Sequence, residues 1–216
     1  MFLLHRQMNF IKHSTTRNFT QAIIKKLTKA LDRRIEEDYE IYKLDDGIPI
    51  FLQLNELEIE DYGHTTKVIL RKTINDLNIE VNFEAQNLMS PSDFEKLNEL
   101  TKSKVNTKMS EFNVFVTNPT TKAGFYVDCS SYNSEIIIKN IMFSSDMKIF
   151  ENPYASGLLY QGPNIEKQAK PYLPLFISYL ETLGITSNLI SFIESYTIDK
   201  DYRLYLAWLS KVRKLF

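Results

Sequence analysis

Along this chain the spacing of apolar positions changes twice. From about Thr20 to Tyr39, Ile23, Leu27, Leu31 and Ile35 recur every four residues, which predicts a helix with one apolar face and Thr20 as its cap. Lys25, Lys26, Lys29, Arg33 and Arg34 cover much of its other surface and read as a solvated face, diluted by Asp32, Glu36, Glu37 and Asp38. From Pro49 to Tyr160 the period is two. Leu57 and Ile59 alternate with Glu56, Glu58 and Glu60. Leu77, Ile79, Val81 and Phe83 alternate with Asn78, Glu80, Asn82 and Glu84. Val68 and Leu70 place a strand between these two, with turns at Tyr62-Gly63 and Asn75-Asp76. Phe112, Val114 and Val116 form another strand, and a turn-rich link from Asn118 to Lys122 leads to Phe125, Val127 and Cys129. Ile136 to Phe143 is nearly continuously apolar and reads as a strand buried on both faces, and a last strand is expected at Leu158–Tyr160. The one long link, Leu88 to Ser110, carries a short helical pattern at Phe94, Leu97 and Leu100. Short connections favour antiparallel neighbours, so the expectation is a sheet of about seven mostly antiparallel strands.

After Tyr160 the period lengthens again. Gly162 tolerates unusual φ and Pro163 fixes its own, so the chain turns there. A helical pattern follows and ends at Gly184, which suits a helix C′ position with the apolar Ile185 just beyond it. Pro171 and Pro174 are compatible with that helix only where it begins. Thr186 or Ser187 can cap a second helix. Its apolar positions are Leu189, Phe192, Ile193 and Tyr196, then Tyr205, Leu209, Val212 and Phe216, with Trp208 beside them. The polar run Thr197 to Asp201 is expected to loosen or bend it. The predicted class is α+β: an N-terminal helix, a twisted antiparallel sheet and two C-terminal helices. The stripe Ile23, Leu27 and Leu31 matches the stripe Tyr205, Leu209, Val212 and Phe216. These terminal helices are expected to pair, and the surplus apolar surface widened by Trp208 marks a subunit interface.

Composition adds limits. A chain of 216 residues with 44% hydrophobic and 25% charged residues is one globular domain, or one domain and a leader. No apolar run reaches the ~20 residues of a membrane-spanning helix. A single cysteine, Cys129, excludes an intramolecular disulfide framework and suits a reducing compartment. The net charge of −1 singles out neither a nucleic-acid binder nor a strongly acidic mimic. The first twenty residues stand apart: they hold Arg6, Lys12 and Arg17, His5 and His13, several Ser and Thr, and no Asp or Glu. That is transit-peptide composition, and Arg17-Asn18-Phe19 resembles a processing site, so residues 1–19 are read as a mitochondrial leader and 20–216 as the domain. The alternative is an ordinary N-terminus that lacks acids by chance. Without those three cations the 26 basic residues fall to 23 against 27 acidic ones, and the mature chain carries −4.

No catalytic constellation emerges. Of the three histidines, His5 and His13 lie in the leader and His64 follows a Tyr-Gly turn, which suits an exposed loop. Cys129 closes a strand, and no histidine lies near it in sequence to serve as a base, so it reads as a buried structural thiol. Glu56, Glu58, Glu60 and Asp61 make a row on one strand, not a coordination sphere. Six scattered glycines supply neither a P-loop nor a dinucleotide-binding turn nor a nucleophile elbow. The reading is no catalytic residue, no cofactor and no metal.

One set of motifs is more specific. Tyr160-Gln161-Gly162-Pro163, then Tyr179-Leu180-Glu181-x-x-Gly184-Ile185, an Asp-containing break, and a terminal Tyr205-x-x-Trp208-Leu209 are similar to the mitochondrial glycoprotein family, that of the mitochondrial acidic matrix protein and the complement-component-Q-binding protein. Tyr160 to Gly184 matches without a gap. Two features depart from the pattern: Leu183 stands where many members carry Arg, and the Leu88–Ser110 link, often strongly acidic in the family, is rich in lysine here. The resemblance implies a ring-like homotrimer with its terminal helices packed outside the sheets. It also implies a non-catalytic scaffold or chaperone-like protein of the mitochondrial matrix, supporting mitochondrial gene expression, ribosome assembly and oxidative phosphorylation. Its implied partners are mitochondrial proteins, including ribosomal or ribonucleoprotein components. The alternatives are an RNA-binding accessory factor in mitochondrial RNA processing, marked by steep salt dependence of RNA affinity, and an enzyme with a clustered polar pocket.

Overall fold

A computed structural model describes residues 2–43, 46–85, 110–132 and 134–216, with side chains from Thr20 onward except those of Tyr132 and Glu166. The elements in order are α1 (Phe2–Ile41), α2 (Gly47–Leu54), β1 (Glu58–Asp61), β2 (Lys67–Ile74), β3 (Leu77–Glu84), β4 (Glu111–Thr117), β5 (Gly124–Tyr132) and β6 (Glu135–Ser144). A 3₁₀ turn (Met147–Glu151), α3 (Pro153–Gly157), a π-type turn (Ile165–Ala169), α4 (Leu173–Thr182) and α5 (Ser187–Arg213) follow. The chain divides into two compact units, Met1–Leu44 with Tyr202–Phe216, and Asp45–Asp201.

The second unit is built on a six-stranded sheet in the order β1-β2-β3-β4-β5-β6, every neighbouring pair antiparallel. Its topology follows from the alternation. Val68, Leu70, Val81, Phe83, Phe112, Val114, Val127 and Cys129 share one face by register, and all are buried. Leu180, Leu183, Ile185, Leu189, Ile190 and Ile193 cover that face, and each buried Leu or Ile contributes ~1.5–3 kcal/mol. Asn75 and Asp76 both have positive φ (49° and 60°), the two-residue turn whose twist matches the flanking strands β2 and β3.

Three expectations need correction. Pro49–Leu54 belongs to α2, not to the period-two region; Pro49 sits in the first turn, where its missing N–H costs no helical bond, and Phe51 stacks on Phe192 with centroids 4.5 Å apart. Leu158–Tyr160 is not a strand, so among the described residues the sheet has six strands and not about seven. The cause is upstream: the Asn152 side chain accepts from Tyr154 N and Ala155 N (3.1 and 3.3 Å) and nucleates α3, and Gln161 Nε2 donates to Leu159 O (2.8 Å), which keeps the following segment folded back. β6 is an edge strand and is not buried on both faces; Ile137 and Phe143 are exposed (46% and 69%). A bulge at Lys139 interrupts its pairing with β5.

Both C-terminal helices expected from the sequence are present, and the end of the first is as expected. Pro174 lies in the first turn of α4. The helix ends in a Schellman arrangement: Ile185 N donates to Leu180 O (3.0 Å), Gly184 N to Glu181 O (2.9 Å), and Gly184 has φ +82°. Thr186 caps α5 through its Oγ1, which accepts from Leu189 N at 3.5 Å. The polar run Thr197–Asp201, expected to loosen or bend the second helix, does not interrupt it: α5 continues through the run with Thr197 and Lys200 buried. In α1, helix runs through Thr20 from Phe2, so Thr20 is not a cap. The short helix expected at Phe94, Leu97 and Leu100 lies outside the described residues, as do the side chains of the expected leader.

Candidate functional site

The face of the sheet turned away from the helices carries a row of polar and aromatic side chains. Alternation puts Glu60, Arg71, Glu80, Asn82, Asn113, Phe115, Tyr126 and Asp128 on it, since each flanks a core residue. Arg71 is its electrostatic centre. It pairs with Glu60 on β1 and with Glu80 on β3, where Nε lies 2.9 Å from Oε2. The Glu60 carboxyl is held below its usual range, first by a hydrogen bond from Tyr62 and then by Arg71. The Arg71 guanidinium is held above its ordinary value, mainly by its hydrogen bond to Glu60. Asn82 Nδ2 donates to Glu80 Oε1 at 3.0 Å and extends the chain of polar contacts towards β4.

Two adjoining hollows open on this face. The larger, about 770 Å³, lies between the Asn55–Glu58 segment, the Arg71–Glu80 region and the Met147–Glu151 turn. It mixes both signs of charge. The smaller, about 410 Å³, has Phe115, Tyr126 and Phe150 as apolar walls, with Asn82, Asn113 and Asp128 among its polar lining. Burial pushes the Tyr126 phenol up to about 12, and its hydroxyl donates to Asn113 Oδ1 at 2.8 Å. Burial also raises the Asp128 carboxyl, with the Lys139 ammonium opposing. Both volumes lie within the ~300–1,000 Å³ of ordinary ligand sites. These groups come from four strands and a turn, so their proximity is not visible in local spacing.

The motif residues have structural positions. Gly162 has φ +87° and lies so close to β6 that an added Cβ would stand 1.9 Å from Ile141 O. Only glycine lets Tyr160–Pro163 run along the sheet edge, which covers part of it. Tyr160 is exposed, and Gln161 braces the preceding segment. Tyr179 lies against Phe125 and Phe176, Leu180 and Ile185 are buried at the end of α4, and Glu181 O accepts the Gly184 bond.

In the first unit, α1 and the end of α5 are cross-linked by polar contacts. Arg34 Nε donates to Tyr205 Oη (3.2 Å), Arg213 Nε lies 2.5 Å from Asp32 Oδ1, and Tyr202 Oη donates to Asp38 Oδ1 (3.2 Å). Tyr42 stacks on Tyr202. Of the two predicted stripes, Leu31 and Leu209 are buried, Tyr205 and Val212 are half-buried, and Ile23, Leu27, Trp208 and Phe216 are exposed (49, 39, 56 and 47%). Leu206, also buried, and the Asp38–Tyr202 contact were not anticipated; Leu206 sits one turn from Tyr202 at helical spacing and was legible in principle.

For catalysis the inventory is short. Cys129 is buried, and its thiol is pushed up by that burial and then by Asp128. His64 is exposed. Among the described residues no group of three or more His, Cys, Asp or Glu could hold a metal ion, and no single helix is long and apolar enough to cross a membrane.

With this geometry in hand, the model of the mitochondrial glycoprotein family matches residues 31–216. The chain belongs to that family. The matched range takes in the whole sheet, the Tyr160–Gly184 motif and both C-terminal helices. The mitochondrial acidic protein mam33 of Schizosaccharomyces pombe is 34% identical over 82 residues, which span 36% of this chain and only 30% of that relative. Two solved structures share the fold at 19% identity and a TM-score of 0.67. One is the Trypanosoma brucei p22 protein, where the overlap covers 89% of this chain and 97% of that one. The other is a Leishmania major protein described as of unknown function and a sequence homologue of human p32, where it covers 89% and 98%. The α+β class read from the sequence is thus the fold that this chain shares with these two structures.

Proposed function

We propose that this chain is a non-catalytic binding protein of the mitochondrial matrix, a scaffold or chaperone-like factor that supports mitochondrial gene expression, ribosome assembly and oxidative phosphorylation. The observation that carries the reading is the division of labour in the sheet. One face is sealed by helices into a core, and the other is open and polar with two hollows, a surface built for contact. Family membership and the name of the fission-yeast relative support a mitochondrial setting. The leader composition of residues 1–19 supports import, with cleavage near Phe19. The working form is a homotrimer, supported by apolar residues left exposed on both helices of the first unit.

Purification from mitochondria with and without nuclease tests this. Mitochondrial proteins, ribosomal components among them, should remain bound after nuclease treatment, and sequencing of the recovered chain should begin near Thr20. Recovery of the chain alone, or with an intact Met1, would count against it. Partners lost on nuclease treatment, with RNA affinity of the isolated chain falling steeply with salt, would favour an RNA-binding accessory factor instead.

A further inference from the structure

The smaller hollow on the open face has a more specific chemistry than its neighbour. Register sets it up: Phe115 stands opposite Tyr126, and Asn113 opposite Asp128. Ring therefore meets ring, and amide meets carboxylate. The Met147–Glu151 turn then brings Phe150 onto both rings, stacked on Tyr126 (5.1 Å, 17°) and edge-on to Phe115 (5.9 Å, 75°). Asn82 faces Asn113 from β3.

Apart from the exposed Lys67 ammonium at its rim, this hollow is short of free hydrogen-bond donors. The Tyr126 hydroxyl is given to Asn113, and Asn82 Nδ2 is given to Glu80. The acceptors are in surplus. Asn82 Oδ1 is buried with no hydrogen-bond partner among the described residues. Asn113 Oδ1 accepts one bond and has a second lone pair. Of the rim carboxylates, Glu111 pairs with Lys139 at 2.5 Å, and Glu84 stands opposite Lys67 in the strand register. Asp128 is different. Lys139 acts on it only through space, and among the described residues its carboxylate has no ion pair and no hydrogen bond. Half-buried, it has no direct hydrogen-bonding partner for its charge among the described residues.

We propose that this hollow binds a guanidinium group, stacked against the Phe115–Tyr126–Phe150 rings and hydrogen-bonded to the Asp128 carboxylate. An anion would meet three carboxylates. An ammonium is a strongly hydrated point charge that gains little from a flat ring wall, whereas guanidinium is planar, weakly hydrated and carries its donors in a fork that fits a carboxylate. The group can come from a free guanidino compound or from an arginine side chain on a polypeptide. The inference rests on the open face being the binding surface. It is tested on the purified chain alone, so its failure leaves partner recovery from mitochondria as a separate result.

The test is an NMR titration of the full chain with methylguanidinium, N-acetyl-arginine amide, an arginine-containing peptide and N-acetyl-lysine amide. The guanidinium probes should saturate and shift the ring resonances of Phe115, Tyr126 and Phe150, and the lysine probe should bind at least about tenfold more weakly. Peptide binding tighter than methylguanidinium assigns the site to polypeptide arginine; equal binding assigns it to free guanidino compounds. Asp128→Asn should weaken binding about tenfold with the fold retained by circular dichroism. Phe150→Ala, on the turn, gives the same reading should Asp128→Asn fail to fold. Non-saturable shifts with every probe, equal binding of the lysine probe, or full affinity in the folded variants would overturn the assignment.

Discussion

Lys200 and Asp61 form a buried ion pair that ties α5 to the first hairpin of the sheet, 139 residues away in sequence. Lys200 is 1% exposed and also donates to Lys67 O at 3.1 Å, and Tyr196 adds its hydroxyl to Asp61. This explains why a polar run mid-helix does not break α5: its cation is neutralised inside the unit.

The pair predicts non-additive energetics. Removing one member strands the other as a buried charge, which costs ~3–5 kcal/mol, while replacing both with apolar residues removes the desolvation cost as well. Lys200→Met or Asp61→Leu should each lower the urea midpoint strongly. The double variant should recover most of the loss. Simple addition of the two losses would show that the pair is not the clamp described.

Two positive-φ glycines should differ in tolerance. At Gly162 an alanine Cβ would strike the Ile141 carbonyl, a backbone atom that cannot retreat without opening β6, so Gly162→Ala should cost more than ~3 kcal/mol. At Gly184 the nearest atom is Lys72 Nζ, 2.0 Å away on a flexible side chain that can swing aside. Gly184→Ala should therefore cost only the strain of φ +82°, ~1–2 kcal/mol. Thermal unfolding of both variants checks the order, and equal losses would contradict the edge-covering role of the Tyr160–Pro163 segment.

How far the sequence was readable follows the range of the interactions. The β2–β3 hairpin was legible because alternation and the Asn75-Asp76 turn are local, and the end of α4 was legible because Gly184 and Ile185 carry the whole Schellman signal. α2 was missed because an unbroken apolar run such as Ile50-Phe51-Leu52 suits a strand or a helix alike, and only packing on Phe192 decides. Leu158–Tyr160 reads as a strand only when the Asn152-Pro153 start signal for α3, legible in the sequence, is left out of account. The aromatic hollow was out of reach: Phe115, Tyr126 and Phe150 come together only through strand register and the placement of a turn.

Cys129 should behave as core and not as chemistry. Burial holds its thiol in the neutral form, and its Sγ has only a long contact of 3.9 Å to Val127 O. A thiol reagent at neutral pH should label the native chain far more slowly than the urea-unfolded one. Cys129→Ser should lose ~1–3 kcal/mol of stability by placing a hydroxyl in the core and should keep partner binding. Rapid native labelling, or lost binding in a folded and assembled serine variant, would reopen a redox role.

The assembly prediction rests on α1 and the end of α5. Leu209 is buried at 3% and Leu31 at 9%, whereas Trp208, Ile23 and Leu27 leave apolar surface exposed on the same helices. Burying one Leu contributes ~1.5–3 kcal/mol, and a carboxylate in its place would be an unpaired buried charge. Leu209→Asp should separate the helices and dissolve the oligomer together, giving monomer or aggregate by light scattering where the wild type runs as a trimer. Trp208→Ser removes exposed apolar area without touching Leu209, so it should keep the helical content of the chain while weakening the trimer. Lys211→Ala, at an exposed position of α5, should stay trimeric. A monomeric wild type, or a Leu209→Asp chain that remains trimeric and equally stable, would show that these helices do not organise the assembly.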